Sequence, residues 1–257
     1  MPIQMSTKPT RKRLDVLLVE RGLADSRQKA QAMILAGEVE IDGKKSGKAG
    51  LLVAETSRIG VRSRLQKYVS RGGFKLEGAL EDFKVSVEGR VCLDVGSSTG
   101  GFTDCLLQSG AARVYAVDVN TDQLAWKLRE DPRVIRIQKN ARELKPPDLA
   151  ESVDVVVIDV SFISVTKVLA GACSCAKENA DLLILVKPQF ELERKDVSKS
   201  GIVREAKLHQ KAIASVREAA ETLGLAVIGS VPSRLPGMEG NQEYFLHARR
   251  KGRVESA

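Results

Sequence analysis

The chain has 257 residues, 43% of them apolar and 29% charged, with a formal net charge of +8. That profile predicts a soluble globular protein with a sizeable core and excludes dominant disorder, while no apolar run approaches the ~18–20 residues of a membrane-spanning helix. Four cysteines without C-x-x-C spacing and only two histidines exclude a disulfide scaffold and a metal finger, so no metal and a reduced, cytoplasmic setting are expected. The opening MPIQMSTKPTRKR lacks the apolar core of a secretory signal.

The charge is unevenly placed. Residues 1–71 hold 15 Lys/Arg and 7 Asp/Glu, whereas residues 72–257 hold 26 of each. A basic module ahead of a neutral one is the pattern of a nucleic-acid-binding domain joined to something else. A solvated basic arm is the alternative.

Residues 1–10 read as a loose tail. Leu14, Leu17 and Leu18 then recur at helical spacing, with Leu23 following Gly22. Asp25-Ser26 offers an N-cap for a second helix whose stripe is Ala30, Met33, Ile34 and Leu35, ending at Gly37. Val39 and Ile41 alternate with acids in a short strand closed by Gly43, and 51–53 and 59–61 read as further strands. Through Arg13-Leu14-Asp15, Arg21-Gly22-Leu23, Ser26-Arg27-Ala30 and Gly37-Val39-Gly43, residues 11–65 resemble the S4 RNA-binding domain. The resemblance implies contacts to RNA backbone and shape. The candidate cations are Arg11, Lys12, Arg13, Arg21, Arg27, Lys29, Lys44 and Lys45, with Arg71 beyond them.

Residues 66–71 read as a basic linker, and 72–257 as a second domain. A helix starts at Gly72-Gly73 with Leu76, Ala79, Leu80 and Phe83 on one face. Apolar strands at 91–95, 114–117, 134–137, 153–158 and 182–186 then alternate with helices, including 162–172 and 204–223. Strands at 225–231 and 244–248 form an antiparallel edge hairpin. The expected fold is α/β, a Rossmann-like, mostly parallel sheet with helices on both faces.

Ligands of such sheets sit at the carboxyl ends of the strands. There the chain places Asp94, Gly96, Ser97, Ser98, Thr99, Gly100, Gly101 and Phe102. Ser98 breaks the dinucleotide fingerprint G-x-G-x-x-G, and no Lys-Ser/Thr follows to make a phosphate loop. The string resembles motif I of S-adenosylmethionine-dependent methyltransferases. That resemblance implies S-adenosylmethionine as cofactor, with Asp94 receiving its amino group. It places the ribose hydroxyls on Asp118, next to Val119, and the adenine near Asn140 and Ala141.

Asp159 ends one strand, Lys187 ends the next, Glu243 opens the last, and Lys75 lies on the helix before the first strand. These four resemble the K-D-K-E tetrad of ribose 2′-O-methyltransferases. A ribose hydroxyl must lose its proton as it attacks the sulfonium methyl. Lys187 is the candidate base, with Asp159, also beside the cofactor, and Glu243 orienting the lysines. With both halves read, the chain resembles the haemolysin A (TlyA) family of ribosomal RNA methyltransferases. The strings that carry this are Val69–Leu76, Asp159–Ser164, Val186–Glu191 and Gly240–Phe245. The family implies 2′-O-methylation of cytidine in 23S and in some members 16S ribosomal RNA, within ribosomal subunits. Its linker, matched by Gln66–Val69, helps form the cofactor site in some members; Tyr68 departs from the Trp found in mycobacterial ones. The competing readings are a non-catalytic ribosome-assembly factor, a membrane-active haemolysin and an NAD-dependent oxidoreductase.

Overall fold

The computed structural model describes residues 10–24, 26–61, 67–198 and 200–252. Residues 1–9, Asp25 and Gln66, named above for the tail, the cap and the linker, lie outside them. Two compact units divide the chain at 66/67.

In the first unit, β1 (Arg11–Arg13) leads into α1 (Leu14–Glu20), followed by α2 (Arg27–Leu35), β2 (Val39–Ile41), β3 (Lys44–Lys45), β4 (Leu52–Ala54) and β5 (Ile59–Val61). β1 pairs antiparallel with β4, and β2 lies between β3 and β5. Ser26 caps α2 by accepting from the Lys29 N–H at 3.2 Å. Leu14, Leu17, Leu18, Ala30, Ile34, Val39 and Val53 make one small core. One expectation changes. Leu35 is 75% exposed, because Ile34 and Ala30 already take the inward face and the next residue is turned by about 100°.

The second unit comprises α3 (Arg71–Phe83), β6 (Val91–Val95), α4 (Gly101–Gln108), β7 (Arg113–Asp118), α5 (Trp126–Arg129), β8 (Val134–Gln138), β9 (Val153–Ile158), α6 (Thr166–Ser174), β10 (Ala176–Val186), α7 (Pro188–Glu191), α8 (Ala206–Thr222), β11 (Leu225–Pro232) and β12 (Tyr244–Arg250). The sheet order is β11-β12-β10-β9-β6-β7-β8. β12 runs antiparallel between β10 and β11, and the other neighbouring pairs are parallel.

Alternation along the strands makes two cores. Leu93, Val95, Val156, Ile158, Leu182 and Ile184 face α6 and α8, while Cys92, Val155, Val157, Leu183 and Leu185 face α3, α4 and α5. The helix expected over 162–172 is corrected: α6 begins only at Thr166, and Phe162 sits at φ +64° in the loop before it.

Lys67–Ser70 pack with the second unit. Tyr68 is buried, edge-on to Phe74 at 5.2 Å, and the Val69 N–H donates to Asp104 Oδ2 at 2.8 Å. Gly73 permits this: a Cβ there would lie 2.2 Å from Tyr68 Cγ, in the base of the ring rather than at a movable tip. Gly73→Ala is therefore expected to destabilise the second unit by about 1–3 kcal/mol, the usual cost of overpacking. A denaturant midpoint equal to wild type would contradict this packing.

Candidate active site

The register of three strands assembles the site. Ile158 pairs with Val95 on one side and Ile184 on the other, and the Asp159 N–H donates to Val95 O at 2.9 Å. Val186 pairs with Tyr244, so Lys187 and Glu243 leave adjacent strands at the same edge. The sequence-predicted tetrad thus comes together as two ion pairs. Lys187 Nζ lies 2.5 Å from Asp159 Oδ1 and also donates to Ser161 Oγ at 2.8 Å. Lys75 Nζ, on α3, lies 2.5 Å from Glu243 Oε2. Each lysine is 8% exposed and Glu243 2% exposed. Ammonium groups so far from water need a counter-charge at contact distance. The Asp159–Lys187 contact is a close ion pair without hydrogen-bond alignment, since Asp159 Oδ1 has no aligned donor.

Beside the pairs lies the glycine turn. Gly96 and Gly100 adopt φ +87° and +95°, and a Cβ on Gly96 would lie 2.3 Å from the Asp159 carbonyl oxygen. Ser98 also takes positive φ, and its N–H donates to Asp118 Oδ2 at 2.9 Å; the other Asp118 oxygen accepts from the Asn120 N–H at 3.0 Å. Asp94 is fully buried and accepts from Thr103 Oγ at 2.6 Å. Its burial, with Asp159 and Asp118 adding repulsion against the Thr103 hydrogen bond, pushes its carboxyl up to about 7.

Asp94 Oδ1, Ser97 Oγ and Asp159 Oδ1 are buried without a hydrogen-bond partner. With Asp159 Oδ1 taken up by Lys187, the Asp94 oxygen and the Ser97 hydroxyl left open at the turn match a ligand that carries an ammonium and hydroxyl groups, as S-adenosylmethionine does. Thr99 is exposed on the turn, Gly101 opens α4, and Val119 is 64% exposed at the end of β7. Asn140 is exposed at the end of β8, where its side chain accepts from the Arg142 N–H; Ala141 follows, half-buried. Phe102 is placed differently from the expectation. Its ring is buried against Phe245 at 6.0 Å and belongs to the core.

The cations of the first unit divide. Asp15, fully buried, accepts from Arg13 twice at 3.0 Å, from Gln31 at 2.8 Å and from Arg27 at 3.1 Å. Arg13, then Gln31 and Arg27, hold its carboxyl well below the usual range. Lys12 pairs with Glu20 and Glu55, and Arg21 donates to the Ser57 and Glu55 carbonyls. These four therefore have structural work as well as charge. The side chains of Arg11, Lys29, Lys44 and Lys45 are exposed and make no hydrogen bond or ion pair among the described residues. In the second unit Arg71 donates to the Pro236 carbonyl at 3.2 Å.

Sequence reasoning did not assign roles to Thr103, Ser161 or Glu191. Thr103 lies two residues past the glycine turn, and Ser161 and Glu191 stand inside the strings Asp159–Ser164 and Val186–Glu191, which was the available signal. Among the described residues no group of three or more acids, histidines or cysteines could hold a metal, and no helix is long and apolar enough to cross a membrane.

Comparison with known proteins places this geometry. The model of the FtsJ-like methyltransferases matches residues 68–250, and that of the S4 domain matches residues 12–59. Over 241 residues the chain is 47% identical to the 16S/23S rRNA (cytidine-2′-O)-methyltransferase TlyA of Mycobacterium tuberculosis, covering 93% of this chain and 90% of that one. It is 39% identical to a Streptococcus thermophilus protein solved under the provisional name of hemolysin, with a TM-score of 0.74 over 95% of this chain and 90% of that one. An S-adenosylmethionine-dependent methyltransferase from Mesorhizobium loti shares the fold alone, at 14% identity and a TM-score of 0.51, covering 68% of this chain and 98% of that one. The chain belongs to the FtsJ-like methyltransferase family, in the group that joins an S4 domain to a Rossmann-like methyltransferase sheet.

Proposed function

We propose that the enzyme methylates the ribose 2′-oxygen of a cytidine in 23S ribosomal RNA, with 16S ribosomal RNA as a second substrate, and that it meets these RNAs within ribosomal subunits in the cytoplasm. The observation that carries the reading is the pair of carboxylate-matched lysines, Lys187–Asp159 and Lys75–Glu243, at the functional edge of a methyltransferase sheet. The name of the relative in M. tuberculosis supports the substrate.

S-adenosylmethionine, when bound, supplies an activated methyl on its sulfonium. Asp94 and Ser97 offer open polar atoms for its amino acid end, Asp118, held by the Ser98 and Asn120 N–H groups, offers its remaining lone pairs to the ribose hydroxyls, and Val119, Asn140 and Ala141 flank the place for its adenine. Gly96 and Gly100 shape the turn that holds these groups, and Ser98, Thr99 and Gly101 complete it. Lys187 takes the proton of the attacking hydroxyl. Asp159 fixes Lys187, and Glu243 fixes Lys75 where its charge can orient the ribose. General-base catalysis of this kind contributes about 10²–10⁴ in rate. Among the described residues, Arg11, Lys29, Lys44 and Lys45 are free, phosphate-seeking cations of the first unit; Arg13 and Arg27, each about half exposed, can add to them from their Asp15 anchor.

Transfer of labelled methyl to purified unmodified 50S and 30S subunits tests the reading. Label on a cytidine 2′-oxygen is expected with wild type, falling about 10²–10⁴-fold with Lys187→Ala while cofactor binding persists. Binding of cofactor with no label on either particle would favour the assembly-factor reading.

Cofactor affinity should also depend on pH. Asp94 must be ionised to receive an ammonium, and its carboxyl titrates near 7. Lowering the pH below that value protonates it, so the dissociation constant for S-adenosylmethionine should rise by up to about tenfold per pH unit and level off above pH 8. Calorimetry from pH 5.5 to 8.5 reads this directly. Asp94→Asn should bind weakly with a flat profile, and a sloping profile in that variant would remove Asp94 from the role.

A further inference from the structure

The ion pair with Asp159 is not the only contact that sets where the Lys187 nitrogen points. At 2.5 Å it satisfies charge, but Asp159 Oδ1 receives no aligned donor; the aligned donor from Nζ goes to Ser161 Oγ at 2.8 Å. Direction matters for a base, because its lone pair must face the hydroxyl it deprotonates.

The loop that carries Ser161 is held in an imposed conformation. It lies between β9 and α6, and Ser161 is followed by Phe162 at φ +64°, a left-handed backbone that a phenylalanine rarely adopts. Glu191 at the end of α7 holds that loop. Its Oε2 accepts from Ser164 Oγ at 2.5 Å and its Oε1 from the Val165 N–H at 2.8 Å. Burial pushes the Glu191 carboxyl up, against the lowering effect of these two donors. α7 itself starts directly after Lys187, and the Phe190 N–H donates to the Lys187 carbonyl at 2.9 Å. The contacts therefore close a ring: Lys187 to Ser161, along the loop to Ser164 and Val165, across to Glu191, and back through α7 to Lys187.

We propose that Ser161 is a positioning residue for the methyl transfer, its hydroxyl aiming Lys187 Nζ, with Glu191 holding Ser161 in place. The proposal rests on the reading that Lys187 takes the ribose proton. In that step the ribose oxygen gains the methyl as the bond from sulfonium to methyl breaks. The hydroxyl proton passes to the Lys187 amine, whose ammonium has first given up its own proton to solvent, leaving an ammonium and a neutral thioether. A hydroxyl suits this change. It accepts from an ammonium N–H, and toward a neutral amine it can either accept or donate. A carboxylate can only accept, and so favours the ammonium alone. Ser161 can therefore keep hold of Lys187 before and after the proton moves.

The test uses full-length wild type, Ser161→Ala, Ser161→Thr and Lys187→Ala, in single turnovers on unmodified 50S subunits from pH 6 to 9.5, with cofactor affinity measured by calorimetry. Ser161→Ala is expected to slow the transfer step about 10–100-fold, the scale of a small misplacement of a catalytic group. Its affinity for cofactor and subunits should stay within about twofold of wild type, and the midpoint of its pH–rate profile should move. Ser161→Thr, which keeps the hydroxyl, is expected to recover the rate to within about fivefold of wild type and to restore the midpoint. Ser161 is solvent-exposed, so both variants are expected to melt with wild type. If Lys187→Ala is inactive and Ser161→Ala transfers at the wild-type rate and pH profile, the positioning role is overturned. It is equally overturned if threonine performs no better than alanine. Wild type that labels no RNA, or active Lys187→Ala, overturns the functional reading, and this proposal with it.

Discussion

Two lysine ammonium groups withdrawn almost entirely from water at one edge of a sheet are the constraint on which the site depends. Each requires an opposite charge within contact distance, and the fold supplies both from neighbouring strands. Removing either carboxylate would leave a buried charge uncompensated, a situation that costs a protein about 3–5 kcal/mol. The arrangement is thus poorly explained as a device for stability, since apolar residues would fill the same volume at lower cost. It is well explained as a site where charge and proton must be handled out of water.

The same edge separates two tasks by strand. β6 and β7 bring the glycine turn, Asp94 and Asp118 to one side; β9, β10 and β12 bring Asp159, Lys187 and Glu243 to the other. Asp159 stands at the junction: its backbone hydrogen-bonds to Val95 and crowds Gly96, while its side chain meets Lys187. A residue larger than glycine at position 96 would push on the very peptide that carries Asp159, so the glycine serves both halves.

Much of this was legible because strand ends are legible. Short apolar runs closed by a charged residue place Asp94, Asp118, Asp159 and Lys187 at one edge once the sheet is parallel, and the register then brings them together. Charge partners were not legible. Nothing in RLDVLLVERGL says that Asp15 is fully buried, and without that fact Arg13 and Arg27 look like free cations rather than the groups that make its burial tolerable. Phe102 follows the glycine turn in sequence, but the turn of α4 carries its ring inward to Phe245. The loop before α6 was hidden for a similar reason: its apolar content reads as helix, whereas Ser164, held by the distant Glu191, accepts from the Thr166 N–H where the helix starts.

The position of β12 bears on how the enzyme is made. Although Tyr244–Arg250 close the order of elements along the chain, they sit inside the sheet, between β10 and β11. Lys75 and Glu243 are separated by 168 residues, so their pairing is among the most sequence-distant contacts of the fold. A nascent chain can build the glycine turn from β6, β7 and β9 well before this strand has left the ribosome. The half that carries Lys187 and Glu243 must wait for its insertion, which ties the pairing of Lys75 with Glu243 to the synthesis of this strand.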